Sequence, residues 1–148
     1  MHRLEKIIKP FEVLIQKRIK DQNANKLREG CYLYELEADS TIPSEYILLM
    51  HFMGDIDVKL EIKIRSYLLN KQNQDGGWPL FFDGESDISA SVKAYYALKL
   101  SGLKNNNPSL VKAKTFILKN GGAENVNVFT RISLALFGQI SWVSIPYM

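Results

Sequence analysis

Gln72-Asn73-Gln74-Asp75-Gly76-Gly77-Trp78 follows directly on the amphipathic run Ile64-Arg65-Ser66-Tyr67-Leu68-Leu69. The run predicts a helix, and the two adjacent glycines predict its end, because glycine permits the positive φ of a sharp exit. Trp78 comes next, so we expect it to lie beside the end of the helix that the chain has just left. A glutamine amide at such an end reaches backbone groups that lack a partner inside the helix. The stretch therefore predicts a unit that ties a helix end to the next connection.

Helical patterns fill most of the remaining chain, and the expected helices cover residues 4–19, 41–53, 57–71, 87–100, 108–119 and 125–137. Pro10 either kinks the first helix or begins it. Residues 57–71 start with a period of two, which is typical of a strand, but their length and their Lys, Glu and Arg content favour a helix. Residues 46–53 are apolar nearly all round, which predicts burial on most sides.

Capping residues and glycine stops divide these helices. Ser86 or Asp87 is expected to cap the fourth helix, and Asn107 before Pro108 is expected to start the fifth. The glycine stops at Gly30, Gly76 and Gly121 are 46 and 45 residues apart. A near-constant period of this size indicates stacked helix pairs, each of which needs its neighbours to bury its apolar face. We therefore predict an all-α fold with six helices in three pairs.

Composition narrows the class of protein. The chain has 148 residues, which suits a single domain or part of one, and 46% of them are hydrophobic. Its 19 basic and 16 acidic side chains are too balanced to indicate a nucleic-acid partner. A single cysteine, Cys31, excludes an internal disulfide, and two distant histidines do not make a metal site, so neither a metal nor a cofactor is predicted. No transmembrane run or signal-type segment stands out, which predicts a soluble or peripheral chain, and the single cysteine fits a cytoplasmic location.

The spacing of Tyr67, Leu68, Gln72, Gly76 and Trp78 resembles the QW repeat of the squalene–hopene and oxidosqualene cyclases, the class II triterpene cyclases. Further segments are similar to the same family, namely residues 35–46, 88–99 and 128–131. The resemblance covers residues 28–148, is strongest to the bacterial squalene–hopene branch, and leaves residues 1–27 as a divergent N-terminal helix. It implies a partial α–α barrel, or toroid, whose inner helices form a wall and whose outer helices are held by QW units.

The resemblance implies an isomerase that cyclises squalene, or a related linear triterpene, to a hopanoid. The family's acid is an Asp-x-Asp-Asp motif that protonates the terminal alkene or epoxide, and the sequence lacks it. Its nearest match, Asp55-Ile56-Asp57-Val58, has Val at the fourth position and stands at a helix start, where capping explains it. We therefore expect the N-terminal portion of a cyclase, inactive alone and completed by a C-terminal half in cis or in trans. The resemblance also implies that the protein is peripheral or monotopic at a membrane.

Two residues match positions on the family's cavity. Glu45 matches a glutamate associated with the water network near the end of the reaction; its other interpretation is a first-turn acid that stabilises the helix dipole. Phe129 matches an aromatic residue of the cavity wall, where a ring face stabilises a carbocation without acting as a base; its other interpretation is core packing. Tyr67, Leu68, Gln72, Gly76 and Trp78 are assigned to structure, and Lys93 and Arg131 are expected to be ion-paired or snorkelling.

Two functions from different classes remain open. One is the N-terminal part of an enzyme, and the other is a non-catalytic helical binding or scaffold module, or an inactive truncated cyclase, that keeps the toroid fold. A partial barrel exposes the apolar surface that the missing helix pairs would bury. We therefore expect self-association or instability of the chain by itself.

Overall fold

The computed structural model describes residues 2–24, 26 and 39–146, and α-helices dominate them. The chain forms two compact units, the first of which contains α1 (His2–Ala24). The second contains α2 (Thr41–Met53), α3 (Val58–Asn70), β1 (Trp78–Pro79), β2 (Ser86–Asp87), α4 (Ile88–Leu100), α5 (Pro108–Lys119) and α6 (Val128–Leu136). The prediction of an all-α fold is confirmed. So is the helical interpretation of residues 57–71.

The first helix runs without a break through Pro10, so the interpretation in which it begins at that proline is wrong. A proline in this position removes one backbone donor from the helix. The residues from 12 to 24 are all exposed. Cys31 and the family-like segment before residue 39 lie outside the described residues.

Local side chains start the later helices, as their sequence positions predict. The carboxylate of Asp57 accepts hydrogen bonds from the backbone N–H groups two and three residues on, at 2.9 and 3.1 Å. Asp87 caps α4 through the N–H of Ala90 at 2.8 Å, which decides between Asp87 and Ser86. Asn107 caps α5 at 2.9 Å, directly before the proline of its first turn. These bonds satisfy donors that a helix start leaves without a partner.

Three helices, α2, α4 and α6, form one row in which α4 packs against both others. Lys93 and Glu45 join the second turns of α4 and α2, and the N–H of Asn127 donates to Ser89 Oγ where α6 and α4 begin. At the other end, the ring of Phe137 stacks edge-on against aromatic rings of α4 and α2, with centroids 5.5 and 6.1 Å away. The three helices therefore run side by side in the same direction.

The main core lies between this row and the helices α3 and α5. Its fully buried large side chains are those of Trp78, Ile47, Leu68, Leu98 and Leu110. A smaller cluster joins α4, α5 and α6 through Val92, Ile117, Val126 and Leu134. Because Trp78 stands outside any helix yet is completely buried, the segment that carries it is part of the core.

Three expectations need correction. The second helix is not buried on most sides, since Ile42, Tyr46, Leu49 and Met53 are exposed along one of its faces. The sixth helix begins at Val128, because a 3-10 turn at Gly122–Asn125 comes first and Asn127 supplies the cap. The connection after Trp78 contains a short antiparallel hairpin, in which Trp78 pairs with Asp87 and Pro79 with Ser86.

Candidate functional site

The amide of Gln72 joins two parts of the chain that are far apart in sequence. Its Nε2 donates to the carbonyl of Gly76 at 2.8 Å and to the carbonyl of Ser109 at 2.9 Å. The first bond closes the turn after α3, as a glutamine at a helix end is expected to do. The second reaches the first turn of α5, a partner that the sequence did not reveal.

Trp78 is fastened at both its side chain and its backbone. The indole Nε1 donates to the carbonyl of Leu68 at 2.7 Å, close to the end of α3, and the backbone N–H donates to Ser91 Oγ at 2.9 Å. The ring is completely buried, so its one polar group needs this acceptor. Trp78 thus connects the end of α3 with the first turns of α4.

Gly76 stands where the turn touches α5. Its φ is +94°, and a Cβ at this position would lie 2.6 Å from the carbonyl carbon and oxygen of Lys112. Both observations require glycine, because an L side chain disfavours this φ and the obstructing atoms are backbone. The turn can therefore approach α5 only without a side chain.

A second set of polar side chains holds the same turn to the hairpin. Asn73 Nδ2 donates to the carbonyl of Gly84 at 3.1 Å and to Ser86 Oγ at 3.0 Å. Ser86 Oγ donates to Asp75 Oδ1 at 2.7 Å, and the same oxygen accepts the N–H of Gly77 at 3.0 Å. These roles were not predicted from the sequence, although Asn73 and Asp75 belong to the stretch of residues 72–78.

The other two residues assigned to this unit lie on α3. Leu68 is completely buried in the main core, and Tyr67 packs against that core while partly buried. The ammonium of Lys71 lies 5.6 Å from the centroid of the Tyr67 ring. An ammonium at this distance from a tyrosine ring makes a favourable cation–π contact.

Glu45 and Lys93 form an ion pair between α2 and α4. Lys93 Nζ lies 2.5 Å from Glu45 Oε1; the lysine side chain is 7% exposed and the glutamate side chain 47%. Glu45 is the fifth residue of α2 and lies beyond its first turn, so the interpretation as a first-turn acid is wrong. The expectation that Lys93 is ion-paired is confirmed. Its partner was not predicted, because the two positions are 48 residues apart.

The carboxylate of Glu45 borders the exposed apolar face of α2. Residues 42, 46, 49 and 53 follow one another at helical spacing, and Ile42, Leu49 and Met53 are 60%, 53% and 68% exposed. A buried ammonium is costly without a partner, so Lys93 restrains the carboxylate at this edge. The arrangement combines an open hydrocarbon surface with one oriented negative charge.

Phe129 is the second residue of α6 and is 66% exposed, so it does not pack in the core formed by the described residues. Arg131, two residues on, lies one turn inside the helix and contacts backbone carbonyls. Its guanidinium donates to Ser144 at 3.0 Å, to Val126 at 3.3 Å and to Glu124. Arg131 therefore braces the loops around α6, in place of the ion pair or snorkelling position that was expected.

A contact between His51 and Glu61 was also not predicted from the sequence. His51 Nε2 lies 2.6 Å from Glu61 Oε1, with 18% and 11% of the two side chains exposed. His51 lies in the last turn of α2 and Glu61 in the first turn of α3, so the contact closes the corner between consecutive helices. Only the position of each residue near a helix end could have indicated it.

Residues 15–148 match the model of the squalene-hopene cyclase N-terminal domain. The chain belongs to this family. The squalene–hopene cyclase of Zymomonas mobilis is 48% identical over 138 residues, which cover 93% of this chain and 21% of that protein. The one of Schizosaccharomyces japonicus is 47% identical over 150 residues, covering 100% and 22%, and the one of Alicyclobacillus acidocaldarius is 39% identical over 118 residues, covering 80% and 19%.

The resemblance predicted from the QW spacing is thus confirmed for the squalene-hopene cyclase N-terminal domain. The chain spans about a fifth of the length of the curated relatives that it matches. Across the described ranges, no helix has the length and apolar character needed to cross a membrane.

Proposed function

We propose that this chain is the N-terminal portion of a squalene–hopene-type triterpene cyclase, an isomerase that converts squalene to a hopanoid. The observation that carries the proposal is the exposed apolar face of α2 with Glu45 held at its edge by buried Lys93. A linear triterpene is a hydrocarbon, and its affinity for a protein comes from apolar contact. The apolar face of α2 offers that contact.

Cyclisation passes through carbocations, which a cavity wall stabilises best without supplying a base along the way. Exposed aromatic rings meet this requirement, and Phe129 on α6 is the residue proposed for this role. A carboxylate is useful where the reaction ends, because it can orient a water molecule or accept a proton. We assign this role to Glu45, with Lys93 as the residue that positions it.

The initiating proton requires a different source, since the sequence contains no Asp-x-Asp-Asp motif. We propose that a C-terminal cyclase part supplies it, either in the same polypeptide or in a second one. Asp57, the closest candidate for this acid by sequence, uses its carboxylate to cap the start of α3. The chain of residues 1–148 is therefore expected to bind the hydrocarbon without starting its cyclisation.

The test is hopene formation from squalene, measured by gas chromatography. Residues 1–148 are assayed alone and after fusion to the remainder of the Zymomonas mobilis relative. No product from the chain alone and hopene from the fusion are expected. Product from the chain alone would overturn the assignment of the acid, and a folded fusion without product would favour the non-catalytic scaffold.

Variants of the active fusion test the site. Glu45→Gln is expected to lower hopene formation about tenfold or to shift the product mixture, since it removes the charge that Lys93 orients. The matched control is Glu85→Gln, which makes the same change at an exposed residue of the hairpin loop. Equal product amounts and ratios in the two variants would remove Glu45 from the mechanism.

A further inference from the structure

Asn120 differs from the other asparagines of the sequence in the residue that follows it. The chain contains ten asparagines, and only Asn120 precedes a glycine. Asn120 is exposed and follows α5 directly, and Gly121 is exposed as well, with φ at +93°. Glycine has no Cβ to hinder the approach of its backbone nitrogen to another group, and its backbone rotates more freely than that of any other residue. The pair therefore combines a side-chain amide with a backbone nitrogen that can reach it.

Hydrogen bonds at the end of α5 restrain this amide in the folded chain. Asn120 Nδ2 donates to the carbonyl of Phe116 at 2.8 Å, and the Asn120 carbonyl accepts from Asn125 Nδ2 at 3.0 Å. The N–H of Gly121 donates to the carbonyl of Leu118 over a long 3.4 Å. The ψ of Asn120 is 24°, which turns the nitrogen of Gly121 away from Cγ of Asn120. Because these bonds lie at an exposed helix end, a local opening of that end releases them.

We propose that Asn120 is a site of spontaneous deamidation, which proceeds when the end of α5 opens. Once ψ has rotated, the nitrogen of Gly121 loses its proton to water and attacks Cγ of Asn120. The N–Cγ bond forms, the Cγ–Nδ2 bond breaks, and the amide nitrogen takes up a proton and leaves as ammonia. Water then opens the five-membered imide at either carbonyl and gives aspartate or isoaspartate. Water is the only co-reactant, and nothing is oxidised or reduced.

The product of this reaction disturbs the same helix end. An aspartate replaces the donor to the Phe116 carbonyl with an acceptor and places a negative charge at the negative end of the helix dipole. An isoaspartate also lengthens the main chain by one methylene group, which displaces the N–H of residue 120 from the carbonyls of Phe116 and Ile117, now 3.1 and 3.2 Å away. Ile117 belongs to the cluster that joins α4, α5 and α6. Deamidation is therefore expected to loosen the connection that leads into α6.

The experiment is peptide mass spectrometry of the full chain before and after incubation for several weeks in a mildly alkaline buffer. Trypsin cuts after Lys119 and Arg131, so one peptide contains Asn120 together with Asn125 and Asn127 as internal controls. Deamidation makes this peptide one mass unit heavier, and its fragment ions assign the position. The converted fraction at Asn120 is expected to be at least about tenfold that at either control. An unchanged Asn120, or equal conversion at all three positions, would overturn the proposal.

Two further measurements test the role of the helix end. In urea, where α5 is unfolded, conversion is expected to be at least about fivefold faster, because the bonds at Asn120 no longer restrain the amide. Equal rates in the folded and unfolded chain would refute the opening step. Asn120→Asp copies the aspartate product and is expected to lower the thermal midpoint by about 3 °C more than Asn70→Asp, which puts the same charge at the exposed last residue of α3. Equal midpoints would show that the product does not loosen α5. These readouts contain no cyclisation, so they are independent of the proposed enzyme function.

Discussion

Replacing Trp78 with alanine is expected to remove most of the stability of the second unit. Deleting a fully buried large aromatic side chain costs about 3–5 kcal/mol, because the surrounding side chains only partly close the cavity. The lost bond to the Leu68 carbonyl adds about 1 kcal/mol at most, since that oxygen also accepts the N–H of Lys71 at 3.2 Å. The sum, about 3–6 kcal/mol, is a large part of the stability of many domains.

The measurement is urea unfolding followed by far-ultraviolet circular dichroism, which reports the helices and does not depend on the missing indole. Trp142→Ala is the matched control, because the same side chain is removed at a position that is 57% exposed. The control is expected to cost less than about 1 kcal/mol. Trp78→Phe keeps an aromatic ring but loses the N–H donor, and an intermediate cost of about 1–3 kcal/mol is expected.

If Trp78→Ala does not fold, Trp78→Phe still tests the role of the indole. A Trp78→Phe variant as stable as the unsubstituted chain would show that neither the indole volume nor its hydrogen bond matters. A Trp78→Ala variant within about 1 kcal/mol of Trp142→Ala would show that burial of Trp78 does not stabilise the fold. Sedimentation at the same concentrations checks that self-association does not hide the difference.

Three further outcomes are expected, two in the turn after α3 and one at Tyr96 of α4, whose ring contacts that of Phe137. Gly76→Ala is expected to lower the free energy of unfolding by about 2 kcal/mol more than Gly102→Ala, which is measured as a lower thermal midpoint. Both glycines have positive φ, but only Gly76 touches the backbone of α5. Gln72→Glu replaces the amide donor that serves two carbonyls with an acceptor, so the free energy of unfolding in urea is expected to fall by about 3 kcal/mol. The control, Gln74→Glu at an exposed position, is expected to lower it by less than about 1 kcal/mol. Burial raises the pKa of the Tyr96 phenol above its usual 10.0, so the contribution of this group to stability is present below pH 10 and lost as the pH rises further. The free energy of unfolding is therefore expected to decline less between about pH 9 and about pH 11 in Tyr96→Phe than in the unsubstituted chain.

Features that depend on neighbouring residues were predictable. Asp57, Asp87 and Asn107 cap their helices because each side chain reaches backbone donors two or three residues on. The turn at Gly76 follows from the conformational freedom of glycine. The buried position of Trp78 beside the end of α3 follows from its place directly after that turn.

Features that depend on how distant helices align were not predictable. Nothing near Glu45 indicates that Lys93 will face it, because the contact requires α2 and α4 to be packed in one particular register. The two-residue strands of the hairpin are too short to produce an alternating pattern. The exposed face of α2 was missed because an apolar sequence indicates contact with something, without saying whether a neighbouring helix or a ligand provides it.

The bond from Gln72 to the Ser109 carbonyl couples the end of α3 to the beginning of α5, although the whole of α4 separates them in sequence. Fraying of the first turn of α5 also breaks this bond, which adds about 1 kcal/mol to the free energy of local opening. In hydrogen exchange, the start of α5 is therefore expected to be better protected than an ordinary helix end. A single side-chain amide thus links the opening of two helix ends that are distant in sequence.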